Sequence, residues 1–293
     1  MLDNEINAIH YNCLAKINLF LKIISKRSDG YHEIESLFAF LDLYDELYVA
    51  KADGYHMEIK GEFAAAVDVK NNLLTKILDF FVSNFSVDKN LTITLVKNIP
   101  VGGGLGGGSS DAAFFIQALN KIFQLNLSKL DMRQISLKFG SDIAFFFENH
   151  AAIVRGRGEI ITPLKSAFKP LYTLLVNPKI EISSQKIYNN FAANYSAKLS
   201  DAEIVNSDVV ALIKNLSNDL TVYAAKQLLL IDQILSAIIA QNNCLAAKMT
   251  GSGSTCFGIF CDEASLDEAQ SRLTKIFPDF FVRKSQILYQ INA

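Results

Sequence analysis

An α+β architecture in two parts is what the sequence predicts, and three observations carry it. Residues 15–24 and 91–96 alternate apolar and polar side chains with the period of a strand. Apolar residues at helical spacing follow a glycine-rich loop and recur in several later segments. Beyond residue 170 strands and helices alternate again, after a loop-like stretch bounded by Pro163 and Pro170. At 293 residues, 50% of them hydrophobic, the chain can build a sizeable core and stands at the length where one domain tends to become two. The expected division is 1–163 and 164–293.

In the first alternating segment Ala15, Ile17, Leu19, Leu21 and Ile23 share one face. Lys16, Asn18, Phe20, Lys22 and Ile24 share the other, so Lys16 and Asn18 point the same way. A polar turn from Ser25 to Gly30 leads into Tyr31-His32 and a second strand-like run ending near Tyr48, a hairpin with an Asp29-Gly30 turn signal. Residues 72–83 read as a helix. The strand 91–96 then feeds the glycine loop through Pro100, and Ala112, Phe115, Ile116, Leu119, Ile122 and Phe123 mark a helix with Ser109 or Ser110 as its N-cap. A second helical stretch, 128–139, ends at the junction Gly140-Ser141-Asp142, and strand-like 151–154 enters Arg155-Gly156-Arg157-Gly158. In the second part, strands are expected at 171–176, 246–250, 256–261 and 281–285, with helices at 184–193, 209–216, 223–241 and 265–277. The most apolar stretch, 224–240, contains Lys226, Gln227, Asp232 and Gln233 and is too short to span a bilayer, so it reads as a buried amphipathic helix.

Charge and composition narrow the function. With 28 basic and 30 acidic residues the net charge is -2, and no basic run marks a nucleic-acid or membrane surface. Small-molecule chemistry is the default expectation. Asp3 and Glu5 near the N-terminus, without an apolar core behind them, argue against a signal peptide and for the cytoplasm. The four cysteines (Cys13, Cys244, Cys256, Cys261) form no Cys-x-x-Cys pair and the four histidines are scattered, so no metal site or disulfide framework is expected.

The richest chemistry lies in Pro100-Val101-Gly102-Gly103-Gly104-Leu105-Gly106-Gly107-Gly108-Ser109-Ser110, six glycines opening directly into a helix. Glycine tolerates positive φ and lets a ligand approach the backbone, while a helix N-terminus presents unpaired N–H groups and a positive dipole end. Together these predict a phosphate cradle. Gly102-x-Gly104-x-x-Gly107 also satisfies the dinucleotide fingerprint, but the preceding strand alternates with threonines instead of reading as a continuous apolar run, and no acidic residue ends a strand about twenty positions on. A Walker loop needs a lysine after its last glycine. Ser109 stands there.

The loop closely resembles the central motif of the kinase superfamily that includes galactokinase, homoserine kinase, mevalonate kinase and phosphomevalonate kinase. Ala15-Lys16-Ile17-Asn18-Leu19-Phe20-Leu21 and Thr250-Gly251-Ser252-Gly253-Ser254-Thr255-Cys256-Phe257 resemble its first and third motifs. Arg27-Ser28-Asp29-Gly30-Tyr31-His32-Glu33-Ile34 and Gly140-Ser141-Asp142-Ile143 are similar to the branch acting on 4-diphosphocytidyl-2-C-methyl-D-erythritol in the non-mevalonate isoprenoid pathway. The resemblance implies a ribosomal S5 domain 2-like N-terminal domain with a left-handed βαβ crossover, a ferredoxin-like C-terminal domain and an active site in the cleft between them. It implies transfer of the ATP γ-phosphoryl group to the 2-hydroxyl of that substrate, with Mg2+ accompanying the nucleotide and no protein metal site.

By motif position the resemblance makes Asp142 the catalytic base and Lys16 its partner, favouring the developing alkoxide and the transferring phosphoryl charge. Residues 100–110 would bind ATP. Asn18 would offer an amide to the substrate, Tyr31 a stacking platform for cytosine, His32 hydrogen bonds to its edge, Lys97 a cation for the diphosphate, and Ser184 a hydroxyl where relatives have Thr. Asp111, which varies between Asp and Asn in relatives, would support the helix N-terminus. Three residues depart from the pattern: Ala144 in place of Pro, Lys179 in place of a common Gly, and Val101 in place of Met or Ala. A homoserine kinase would lack the Asp-Gly-Tyr-His run. A non-catalytic RNA-binding module would need neither Lys16 nor Asp142, nor fit a pI near 6.1.

Overall fold

Two long strands begin the chain, β1 (Ile9–Lys26) and β2 (His32–Lys51), paired with one another and joined by the predicted turn. The computed structural model describes residues 8–69, 71–165, 167–200, 203–204 and 207–291. Its contacts group into two compact units, one of residues up to 15, 43–101 and 106–147, the other of residues 16–42, 102–105 and from 148 onward. These units interleave along the sequence instead of meeting at one cut between 163 and 164, because both long strands pass from one unit into the other.

In the first unit the end of β2 pairs antiparallel with β4 (Leu91–Val96), which pairs in parallel with β3 (His56–Lys60). The connection between the parallel strands carries helix α1 (Leu73–Phe85), making a βαβ unit. Alternation in β4 is observed as predicted, with Leu91, Ile93 and Leu95 buried. Strand β3 was not among the expected strands: its alternation, Met57 and Ile59 between His56, Glu58 and Lys60, spans only five residues. Asn72 caps α1 by accepting a bond from the Leu74 N–H, and the left-handed Ser86 ends it. Helices α2 (Gly107–Ile122) and α3 (Lys129–Ser136) and the 3-10 helix Ser141–Phe147 pack together, α3 opening on a reciprocal Ser128–Asp131 capping box. Helix α2 starts five residues earlier than the apolar period suggests, and its N-cap is Gly106 at φ 70, not a serine. Glycine alone takes that left-handed conformation without strain.

In the second unit the start of β2 pairs with β5 (Ala152–Gly156), which forms a hairpin with β6 (Ile160–Pro163). Further along β2 lies β10 (Phe281–Leu288), followed by β7 (Leu171–Asn177), β9 (Cys256–Phe260) and β8 (Cys244–Met249), all antiparallel. Helices α4 (Ser184–Asn189), α5 (Val209–Asn215), α6 (Thr221–Gln227), α7 (Leu230–Ile239) and α8 (Glu263–Ile276) accompany these strands. The single helix expected over 223–241 is two, because Leu228 turns to extended backbone at φ -140, ψ 95. Ile231, Ile234 and Ile238 of α7 still bury the apolar face that the sequence shows.

Candidate active site

Gly102, Gly104 and Gly106 all have φ between 65 and 79, so the glycine loop alternates through backbone that only glycine adopts easily. Close approach is the second requirement. A Cβ on Gly104 would land on the Thr250 carbonyl oxygen, while Thr255 donates its N–H to the Gly103 carbonyl at 3.2 Å and Lys16 donates its N–H to that of Leu105 at 2.9 Å. Residues 102–105 are thus bound on one side to β1 and on the other to the turn 250–255, so three motifs far apart in sequence meet. Gly104→Ala is expected to destabilise the protein by about 2 kcal/mol or more, from left-handed strain and backbone collision together. Thermal unfolding checks this, and an unchanged Tm would mean the turn has room to yield.

Beside that loop the second face of β1 is buried, contrary to its polar sequence: Lys16 is 3% and Asn18 1% exposed. The Lys16 ammonium donates to Asn18 Oδ1 at 2.6 Å and lies 4.6 Å from the centroid of the Phe38 ring. Asn18 Nδ2 donates to Ser36 Oγ at 2.9 Å, and the Asn18 N–H donates to Thr250 Oγ1 at 2.9 Å. One N–H of the Asn18 amide is thus engaged by Ser36, and its oxygen holds the lysine.

The turn before β2 closes through Gly30 at φ 85, with Arg27 bonded to Asp29 and Glu33. Tyr31 emerges 58% exposed, held by its N–H to Asp29 Oδ1 at 3.1 Å, and the Arg157 guanidinium lies 4.9 Å from its ring centroid. His32 lies against Tyr188, nearly stacked at 5.6 Å and 28°, and meets Phe191 edge-on at 5.8 Å. Burial, with help from the nearby Lys26 charge, pushes the His32 pKa down and favours the neutral imidazole, a donor on one nitrogen and an acceptor on the other. Tyr188, Phe191 and Arg157 were not singled out from sequence. The only signal was aromatic spacing along 188, 191 and 195.

Ser184 opens α4, and its hydroxyl shares a 2.6 Å hydrogen bond with that of Ser252 in the turn 250–255. Nearby, Lys179 sits at φ 58, the left-handed region, with its N–H donated to Asn177 Oδ1 at 2.7 Å. That conformation accounts for glycine in the resembling pattern and marks the lysine as a strained replacement.

In the other unit, Lys97 does not present a cation to a ligand. Its side chain is 4% exposed and its ammonium is paired with Asp45 and, at 2.6 Å, with Asp111. The diphosphate contact expected of Lys97 is therefore corrected: two buried carboxylates occupy it. Asp111 lies inside α2, four residues past its first residue Gly107, as an ion-pair partner of Lys97. Asp142 stands in the first turn of the 3-10 helix that packs against α2 and α3. Among the described residues no group of three or more His, Cys, Asp or Glu is placed to hold a metal ion.

The fold and these motifs define a class. Residues 72–150 match the family described as GHMP kinases N terminal domain and residues 202–279 match GHMP kinases C terminal, so the chain is a small-molecule kinase of the GHMP type. Two bacterial proteins, each called 4-diphosphocytidyl-2-C-methyl-D-erythritol kinase, are similar nearly end to end. That of Caldanaerobacter subterraneus is 34% identical over 276 residues, 92% of this chain and 94% of that one. That of Ehrlichia chaffeensis is 34% identical over 281 residues, 94% and 97%. The chain belongs to the 4-diphosphocytidyl-2-C-methyl-D-erythritol kinase family. A crystal structure of 4-(cytidine 5'-diphospho)-2C-methyl-D-erythritol kinase has the same fold, with a TM-score of 0.78 at 24% identity over 95% of this chain and 99% of that one. Homoserine kinase from Cytophaga hutchinsonii follows at 0.68 and 15%, covering 94% and 96%.

Proposed function

We propose that this kinase transfers the γ-phosphoryl group of ATP to the 2-hydroxyl of 4-diphosphocytidyl-2-C-methyl-D-erythritol, in the cytoplasm, as a step toward isoprenoid precursors. The observation that carries the reading is identity of 34% to kinases of that name over more than nine-tenths of the chain. In the proposed reaction Asp142 accepts the hydroxyl proton as the oxygen attacks the γ-phosphorus. The bond from phosphorus to the β,γ-bridging oxygen breaks and ADP leaves. Lys16, its ammonium aimed by Asn18, stabilises the charge that develops on the alkoxide and the transferring group. Residues 100–110 cradle the triphosphate, with the uncapped N-terminus of α2 offering its N–H groups to the phosphates. When bound with the nucleotide, Mg2+ would neutralise part of the phosphate charge.

Tyr31 offers an exposed ring face to cytosine and neutral His32 reads its edge, while Ser184 supplies a hydroxyl to the substrate. No nucleic acid is needed. No helix among the described residues is long and apolar enough to cross a membrane. A coupled assay of ADP release with ATP, Mg2+ and a panel of the cytidine substrate, homoserine and mevalonate tests the assignment. Turnover of the first alone is expected; better turnover of another would replace the reading. Tyr31→Ala is expected to raise KM for the cytidine substrate about tenfold with kcat nearly kept, the loss of one base-stacking surface. An unchanged KM removes Tyr31 from the site.

A further inference from the structure

The chain enters the glycine loop from Lys97-Asn98-Ile99 and leaves it through Asp111, and the two ends are tied by charge. Lys97 Nζ bridges Asp45 and Asp111, while Asp45 Oδ1 accepts the N–H groups of Asn98 at 2.5 Å and Ile99 at 2.9 Å. All three charged side chains are nearly inaccessible, at 4% or less. The cluster lies directly beneath the first turn of α2: a Cβ on Gly107 would stand 3.2 Å from Asp45 Oδ2. Two polar atoms there, Ser110 Oγ and Asp111 Oδ1, are buried with no hydrogen-bond partner among the described residues.

We propose that Lys97, Asp45 and Asp111 form a positioning device that fixes the two ends of the glycine loop and sets its nucleotide affinity, Asp111 being the member whose charge adjusts it. This rests on the reading of the loop as the ATP site. With Asp111 protonated the cluster is neutral. With Asp111 ionised it carries one net negative charge beneath the helix end that is to receive phosphate, which opposes anion binding. The titratable and charged groups facing Asp111 are Lys97 at the end of β4, Asp45 on β2 and the Cys13 thiol on β1. Burial pushes the Asp111 pKa up to about 7, against the pull of Lys97 and with the repulsion of Asp45. Burial works against charging Lys97, but the two carboxylates outweigh it and raise its pKa, so Lys97 stays charged throughout.

The test measures the Kd of Mg·ADP at pH 6 and pH 8 for the wild-type enzyme and for Asp111→Asn, a near-isosteric change. Dividing one Kd by the other cancels titration of the nucleotide. The ratio of wild type to variant is expected to rise about three- to tenfold from pH 6 to pH 8, as a charge removed from beneath the site predicts. The double variant Lys97→Gln/Asp111→Asn, which leaves Asp45 its two backbone N–H partners, is expected to weaken nucleotide about tenfold beyond Asp111→Asn, with KM for the alcohol unchanged. A ratio that does not move with pH, or a double variant that differs only in Tm, overturns the proposal. Gly108→Val separates the two levels of the argument, because a Cβ there meets nothing within 4 Å beyond its own helix backbone and chain neighbours and so starts into open space. If it leaves the Kd of Mg·ADP unchanged, the loop is not the nucleotide site. If it raises that Kd while the pH ratio stays flat, the loop reading stands and the positioning device falls.

Discussion

Asp142→Asn is expected to reduce kcat by about 10²- to 10⁴-fold, the usual contribution of a positioned general base, while nucleotide affinity is largely kept. The amide preserves shape and hydrogen-bonding capacity but cannot take the hydroxyl proton. Asp142 stands in the first turn of a 3-10 helix whose following members, Ile143 to Phe147, are all buried, so the backbone under it is set by packing the substitution does not touch. A lowered kcat at unchanged Tm and unchanged Kd for Mg·ADP is the signature of the proton-accepting role. Near-normal kcat would assign the proton to solvent or another group.

Lys16→Met is expected to lower kcat by about 10²- to 10³-fold, the scale for removing one donor that stabilises transition-state charge. The thioether fills the lysine's apolar stem space beside Phe38, and Asn18 retains its bonds to Ser36 and Thr250, so the fold should persist. Asn18 Oδ1 loses its strongest donor, although the Thr250 hydroxyl lies 3.3 Å away and can take over. Single-turnover rates with pre-bound nucleotide and acceptor check this directly. If KM rises and the single-turnover rate does not fall, Lys16 binds substrate without stabilising charge in the transition state.

Local pattern proved a good guide wherever one face was buried and the other was not. Strand β4 alternates in sequence and alternates in burial, and Asn72 and Ser128 announce the helices they cap. It misled where burial was two-sided or absent. Lys16 and Asn18 share the more polar face of β1, yet both are buried because tertiary neighbours cover that face as well. Strand β3 alternates Met57 and Ile59 with polar residues over only five positions, too short a run to stand out in the sequence. Helix α2 begins among glycines that carry no hydrophobic signal, and 223–241 keeps one apolar stripe across a break at Leu228 that a stripe cannot reveal.

Residue order alone was sufficient for the class of chemistry. Six loop glycines before a helix announce a phosphate cradle, and the resemblance carried by the motifs around Lys16, Asp142 and the Asp-Gly-Tyr-His run implies an ATP-dependent small-molecule kinase. What those residues touch was a tertiary decision. Lys97 read as a cation for a diphosphate and became the centre of a buried ion cluster; Asn18 read as a substrate amide and became the support of Lys16. Tyr188, Phe191 and Arg157, invisible as motifs, came to surround Tyr31 and His32. The reason is the range of the interactions: backbone preference and periodicity act over a few residues, whereas desolvation and pairing of a charge depend on atoms that only the folded chain brings near.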